Sequence, residues 1–251
     1  MKLALISAPY DSGHHRSGFG LGPNAILAGG LADTLQSHHH DVAVQDIGKV
    51  GDAQEREIAT GFAVCRAVAS MVRAARDDGR FPIVLAGNCL TSVGATAGEA
   101  ADSIIWFDQH GDLNTPETSI HGFLDGMALA TVLGLCWRPL ADAIPGFNAI
   151  DPARCLLADA RDLDPAEKML LKRLPITHVR WEDAFETAKK LKASRTHLHL
   201  DLDVHDPSAL QANRYAEPGG PSPAQLRQTV CNIATTVPLT GVTITAYDPA
   251  Y

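Results

Sequence analysis

The sequence predicts an α/β fold built on a largely parallel sheet covered on both faces. Three observations predict it. Short apolar runs alternate with stretches of helical spacing along the whole chain, the pattern of successive strand–helix units. The polar, chemistry-bearing motifs sit at the C-terminal ends of those apolar runs, where open parallel sheets carry their sites. The 251 residues, 45% hydrophobic, are enough to bury a sizeable core.

The elements follow in order. Lys2–Ala8 is an apolar run closed by Pro9 and suits a buried strand. A glycine-rich loop over 12–23 leads to a helical stretch over 24–36, and 42–46 reads as a second strand. Residues 55–78 carry Ile58, Phe62, Cys65, Val68, Ala69 and Val72 at helical spacing. A strand is expected at 82–86, a short helix at 95–102, and a strand at 103–108 that ends in DQHGDLNTPETS. Helices at 125–135, 164–173, 181–192 and 225–234 alternate with strands at 154–158, 196–204 and 241–247. With no linker, low-complexity tract or internal repeat, one domain is expected over 1–251. His38, His39 and His40 lack an adjacent carboxylate cluster and read as a solvated turn.

Composition narrows the function classes. A net charge of −8 argues against a nucleic-acid surface, which needs a basic stripe. Five cysteines, an odd count without a CxxC pair, suggest neither a disulfide framework nor a zinc ribbon. The apolar N-terminal run is too short for a signal-peptide core, and no apolar run was expected to reach membrane-spanning length. A reducing cytoplasm is the default compartment, with a small molecule as partner and no membrane or nucleic acid.

Two motifs carry the chemistry. Asp108-Gln109-His110-Gly111-Asp112 offers ligands at i, i+2 and i+4, which share a face on an extended strand end. Two carboxylates and an imidazole suit a hard or borderline divalent cation. In the second motif, His197, His199, Asp201 and Asp203 alternate with Leu198, Leu200, Leu202 and Val204. One face is then apolar and the other crowds carboxylates and imidazoles, which repel unless cations or protons neutralise them. Four carboxylates and a histidine from two strand ends can bridge two cations ~3.5–4 Å apart, an arrangement that activates water at neutral pH. Hydrolysis is the chemistry to expect.

At these residues the sequence resembles the arginase/agmatinase (ureohydrolase) family, dimanganese enzymes with a three-layer α/β/α sandwich. GFGLGP at 18–23 looks like the family's glycine-rich segment. DQHGDLNTPETS is close to DAHxDxNTPxTS, HLDLDVHDP to SxDxDxxDP, and Pro218-Gly219-Gly220 to the PGG that follows. The resemblance implies that Asp108 and Asp201 bridge the cations, that His110 and Asp203 complete one site, and that Asp112 belongs to the other. It implies further that Asn114 and Asp164 hold the carboxylate and amine of an amino-acid-like substrate. Two divalent cations, Mn2+ first, and a trimer or hexamer of identical chains are implied as well.

The chain departs from the pattern at three places. The family's GGDH, whose histidine is a ligand, appears as Ala86-Gly87-Asn88-Cys89. A thiolate there is softer than imidazole and shifts preference toward Zn2+, Fe2+ or Co2+. Cysteine at this position also resembles the subgroup that hydrolyses Nω-hydroxy-L-arginine. Asp125 stands where HGMPLA carries a proton-shuttling histidine. A carboxyl with a raised pKa could do that work, or His121 or His199 could substitute. Ala246 stands where the family's glutamate grips the guanidinium. The expectation is a dinuclear amidinohydrolase acting on a guanidino or hydroxyguanidino amino acid. The alternatives are a hydrolase of another linear amide or amidine, and a catalytically inactive arginase-fold binding protein.

Overall fold

The apolar runs become the strands of one parallel sheet. The structure, a computed structural model, describes residues 1–51, 54 and 56–251. Among these, the sheet comprises β1 (Lys2–Ala8), β2 (Asp41–Asp46), β3 (Phe81–Ala86), β4 (Ser103–Phe107), β5 (Cys155–Ala158), β6 (Thr177–Val179), β7 (Thr196–Asp201) and β8 (Leu239–Thr245). Their spatial order is β2-β1-β3-β8-β7-β4-β5-β6, and every pairing is parallel. The C-terminal ends of β3, β8, β7 and β4 therefore lie side by side at the centre of one edge.

The helices are α1 (Gly22–Ala28), α2 (Leu31–Ser37), α3 (Glu57–Asp77), α4 (Thr91–Glu99), α5 (Ala128–Val132), α6 (Arg138–Ala141), α7 (Pro165–Arg173), α8 (Ala184–Ala188) and α9 (Pro223–Ala234). They complete a three-layer α/β/α architecture. Phe62, Cys65 and Ala69 of α3 and Val93 and Ala97 of α4 pack with Ile104 and Trp106 on one face. Ala184 of α8 and Leu226 and Ile233 of α9 pack with Ile105, Phe107 and Leu198 on the other. α3 is long and apolar enough to cross a membrane by length and composition, which the sequence reading did not anticipate. In the fold its apolar side is buried under the sheet, as the side of a core helix is.

Several elements differ from expectation for identifiable reasons. The helix expected at 24–36 is two, because Gly30 takes φ 90° and turns the chain between α1 and α2. Of the helix expected at 55–78, α3 covers Glu57–Asp77, while Glu55 lies outside the described residues. α4 begins at Thr91 rather than 95 and is buried along its length, so no amphipathic period marks its start. The stretches 125–135 and 181–192 each open with a 3-10 turn, Asp125–Met127 and Trp181–Asp183, and hold only short α-helices. β7 ends at Asp201, and Leu202–Val204 form a 3-10 turn, so the alternation does not run through Asp203. The short edge strand β6 and α6 were not anticipated. The triple histidine lies at the turn after α2, with His38 and His39 exposed.

Candidate metal centre

Each of the four central strands delivers a side chain to one point. After β3 the chain must turn sharply to enter α4, and Gly87 makes this possible: a Cβ there would run into the carbonyl oxygen of Tyr10. The turn buries Cys89 at 2% exposure. Its Sγ donates to Asp201 Oδ2 at 3.0 Å and lies 3.3 Å from Thr245 Oγ1 on β8. In the register of the sheet Thr245 is the direct partner of Asp201, and its hydroxyl donates to the same carboxylate oxygen at 3.2 Å.

The DQHGD segment does not hold its ligands together as an extended strand end, as the spacing suggested. Asp108 Oδ1 accepts from the His110 backbone N–H at 2.7 Å, and Asp112 takes the left-handed conformation at φ 50°. The chain curls, and the three side chains converge by curvature rather than by alternation. Gly111 is needed beneath the curl, because a Cβ there would press on the Glu167 carboxylate at 2.6 Å. That carboxylate accepts from Leu113 N at 2.9 Å and from Asp164 N at 2.9 Å. His110 Nδ1 lies 3.4 Å from Asp108 Oδ1 and 3.5 Å from Asp203 Oδ2. Asp203, off the strand end, is held by its own N–H donating to Asp201 Oδ1 at 2.8 Å and by Asn213 Nδ2 donating to its Oδ2 at 3.3 Å.

The residues thus form two overlapping sets with potential ligand atoms within 4.8 Å of one another: Cys89, Asp108, His199 and Asp201, and Asp108, His110 and Asp203. Asp112 joins neither set by that measure, yet it is buried and its Oδ2 has no hydrogen-bond partner among the described residues. Asp203 Oδ1 is likewise buried and unpartnered among them. Buried carboxylate oxygens without donors are costly unless a cation or a proton meets them. The donor set and these two orphaned oxygens fit divalent cations.

The electrostatics agree. Burial first, then the charge of Asp203, pushes Asp201 up to about 8. Burial pushes Asp203 up to about 6, although the His110 imidazole opposes the shift. Asp108, Asp112 and Asp125 are raised as well, each by burial first and by neighbouring aspartates after it. Burial opposes charge on His110, but the Asp108 and Asp203 carboxylates outweigh it and hold the imidazolium to about 10. Burial and the surrounding aspartates push the Cys89 thiol well above its usual range. Without cations, protons must neutralise this cluster, and cation binding would release them.

The cluster floors a cavity of about 530 Å³, which is within the range of small-ligand sites. Asn114 and Asp164, 50 residues apart in sequence, meet there, with Asn114 Nδ2 donating to Asp164 Oδ2 at 2.9 Å. Asp164 also caps α7, in a capping box with Glu167. Asp125 stands beside the cysteine turn, where its Oδ1 accepts from Cys89 N at 2.5 Å and Leu90 N at 3.3 Å. His121 sits exposed at the rim, near Phe123. Ala246, 3% exposed and at φ 61°, lines the cavity just beyond β8.

Sequence reasoning missed several supporting residues. Arg161 donates to the carbonyls of Val204, Glu217 and Pro218 at 3.2, 2.8 and 3.2 Å, and to Asp159 at 2.8 Å. It clamps the loop that carries Asp203 to the PGG segment. Asn213 ties Asp203 to the Ala246 carbonyl, donating at 2.9 Å. Trp106 donates Nε1–H to Asp108 Oδ2 at 3.1 Å. None of these lies in a ligand-like pattern, so no sequence signal marked them.

A parallel α/β sheet with a carboxylate-rich, cation-fitting cluster at its central strand ends defines a metallohydrolase-type site, and comparison with known proteins makes the class specific. The arginase family's sequence profile matches residues 1–251. The arginase of Bacillus caldovelox is 32% identical over 235 residues, covering 82% of this chain and 77% of its own. Its crystal structure superposes with a TM-score of 0.86 at 29% identity, covering 99% of this chain and 91% of that one. The arginase of Bacillus cereus superposes with a TM-score of 0.87 at 28% identity, over 100% and 92% of the two chains. The chain belongs to the arginase family, whose members are metal-dependent hydrolases acting on guanidino groups.

Proposed function

We propose that the chain, working as one domain over 1–251, is a dinuclear metal-dependent amidinohydrolase. It cleaves a C–N bond in a small guanidino or hydroxyguanidino amino acid, with Nω-hydroxy-arginine as the lead substrate. The observation that carries this reading is the convergence of Cys89, Asp108, His110, Asp112, Asp201 and Asp203 beneath one cavity, with two buried carboxylate oxygens that no described residue supplies with a donor. Two cations held by these residues, Mn2+ first, would supply the Lewis acidity that activates a water at neutral pH.

The chain's own residues supply the rest. Asn114 and Asp164, on the same cavity, orient the substrate's carboxylate and amine. Asp125, its pKa raised by burial first and by Asp201 after it, is the donor of the proton needed by the departing nitrogen; His121 at the rim is the second candidate for that transfer. With Ala246 where the resemblance calls for a glutamate, a strongly cationic guanidinium lacks its partner. A hydroxyguanidine, a weaker base, loses less. A cytoplasmic homo-oligomer, a trimer or hexamer, completes the reading.

The inactive-binder alternative draws on the same three departures, Cys89, Asp125 and Ala246. Metal content separates the readings. Wild type and Cys89→His are loaded with Mn2+, freed of excess ion, analysed for metal per chain, and assayed on Nω-hydroxy-arginine, arginine and agmatine. Two cations per wild-type chain with hydroxyarginine turnover is the expected result. A chain that holds no metal in either form refutes the hydrolase and leaves the binder.

A further inference from the structure

His199 occupies a position that the proposed ligand set leaves unused. It lies on β7 two residues before Asp201, so both side chains rise from the same face of the strand, the imidazole one layer below the carboxylate. It is fully buried, and three contacts fix its ring. Trp106 stacks on it with centroids 3.5 Å apart and planes 13° apart. Ser92 Oγ on α4 sits 2.8 Å from Nδ1. Nε2 is 3.5 Å from Thr245 Oγ1, the hydroxyl that also touches Cys89 Sγ and Asp201 Oδ2. Nε2 is thus aimed at the point shared by the thiol and the carboxylate, and among the described residues its hydrogen-bond partner, Thr245 Oγ1, is at the limit of contact.

We propose that His199 is itself a ligand of the inner cation, giving that ion a mixed set of Cys89 sulfur, His199 Nε2 and the Asp108 and Asp201 carboxylates. The inference rests on the dinuclear reading above. Four atoms of the right types lie within 4.8 Å of one another, and the imidazole is oriented in the way ligating histidines are. With Nδ1–H donating to Ser92 Oγ, Nε2 keeps its lone pair for the cation, and the hydroxyl fixes tautomer and ring plane. Cysteine where the resemblance places a histidine then does not remove nitrogen from the inner site. The imidazole arrives from the strand below instead of the turn above. One sulfur, one nitrogen and two carboxylates suit a borderline ion such as Zn2+, Co2+ or Fe2+ better than Mn2+.

The test reads coordination directly. The wild-type chain, with histidines labelled in nitrogen-15, is loaded with the spin-active isotope of cadmium. The expected result is scalar coupling from cadmium to two histidines, His110 and His199. His199→Gln and Ser92→Ala identify the second signal and report affinity through competition with a chromophoric zinc chelator. In His199→Gln the inner zinc site weakens about 100-fold or more and the outer site about threefold at most. Ser92→Ala, which removes only the Nδ1 partner, weakens the inner site about tenfold. Two cadmium ions with coupling to His110 alone overturns the proposal and leaves the dinuclear reading standing. Failure of wild type to bind any cation overturns both.

Discussion

Glu99 offers the sharpest test of how the sheet is tied to the site. It is the last residue of α4, and its side chain is fully buried. Oε1 is 2.9 Å from His197 Nδ1, and Oε2 accepts from Thr240 Oγ1 at 2.9 Å. His197 Nε2 is in turn 3.0 Å from Thr243 Oγ1. The carboxylate therefore pins the C-terminal end of α4 to β7 and β8, while the start of the same helix carries Cys89 into the metal cluster. Glu99→Ala strips the buried His197 Nδ1 of its partner and leaves Thr240 Oγ1 with its longer bond to the Thr196 carbonyl, a change that costs about 3–5 kcal/mol. Glu99→Gln keeps the volume and the acceptor for Thr240, and its amide can donate to Nδ1 once the imidazole proton moves to Nε2, so its cost is about 1 kcal/mol. Urea unfolding followed by far-UV circular dichroism, in chelator so that bound cations do not contribute, measures both. The reasoning is refuted if Glu99→Ala unfolds within about 1 kcal/mol of the parent. It is equally refuted if the two variants cost the same, because hydrogen-bond satisfaction would then not be what the pair provides.

Other expectations follow from the same geometry. Asp201 and Asp203 have folded-state pKa values of about 8 and about 6, above the ordinary carboxylate value, so the metal-free fold binds more protons than the unfolded chain. The stability these two groups contribute is therefore fully present below about pH 4 and is lost as pH rises through 6 and 8; cation loading reverses the trend. Thermal midpoints in chelator across that range should fall in the parent and flatten in an Asp201→Asn, Asp203→Asn double variant, and a midpoint that rises with pH in the parent contradicts the assignment. Arg161→Met removes the clamp on the Asp203 loop and leaves the buried Asp159 without its closest cation. It should cost about 3 kcal/mol and lower retained metal, whereas unchanged metal content would show the clamp to be dispensable for the site. Asp164→Ala loses a helix cap with a reciprocal partner in Glu167 and should lower stability by about 1 kcal/mol. On the proposed function it should also raise KM for amino-acid substrates more than it changes kcat; an unaltered KM would remove Asp164 from substrate binding.

The parts legible in sequence are those whose signal is local. Lys2–Ala8 reads as β1 because a fully buried strand must be apolar throughout, and Ser103–Phe107 reads as β4 for the same reason. The two ligand motifs were legible because clustered carboxylates at apolar run ends have few other uses. Where the reading slipped, a tertiary or conformational effect decided. α4 is buried on all sides, so its start carries no period. Asp203 leaves β7 because the Asp201 carboxylate caps a 3-10 turn through the Asp203 N–H. Asp112 reaches the centre through a positive φ that alternation does not encode. His199 was visible as one of four residues on a polar strand face, but only the positions of Trp106, Ser92 and Thr245 show where its Nε2 is aimed.

The three departures from the family pattern form one electrostatic shift rather than three separate losses. On the proposed reading, Cys89 and Asp125 each place an acidic group where the resemblance calls for a neutral imidazole, and Ala246 removes an acidic group from the cavity wall just beyond β8. Acidity is moved from the wall that would grip a guanidinium onto the cations' own layer. Asp108, Asp112, Asp201 and Asp203 already balance two divalent ions, so a further full negative charge there is unfavourable. The pKa of Asp125 is raised, first by burial and then by Asp201, which on the proposed reading favours its acid form as the proton donor. A pocket with less charge at the substrate's reacting end and a proton donor beside the cations favours a weakly basic group over arginine's guanidinium. Ala246→Glu tests this directly: the exchange should raise arginine turnover relative to hydroxyarginine. A ratio that stays level would place the specificity elsewhere, in Asp11, Arg214 and Asp248 on the same cavity wall.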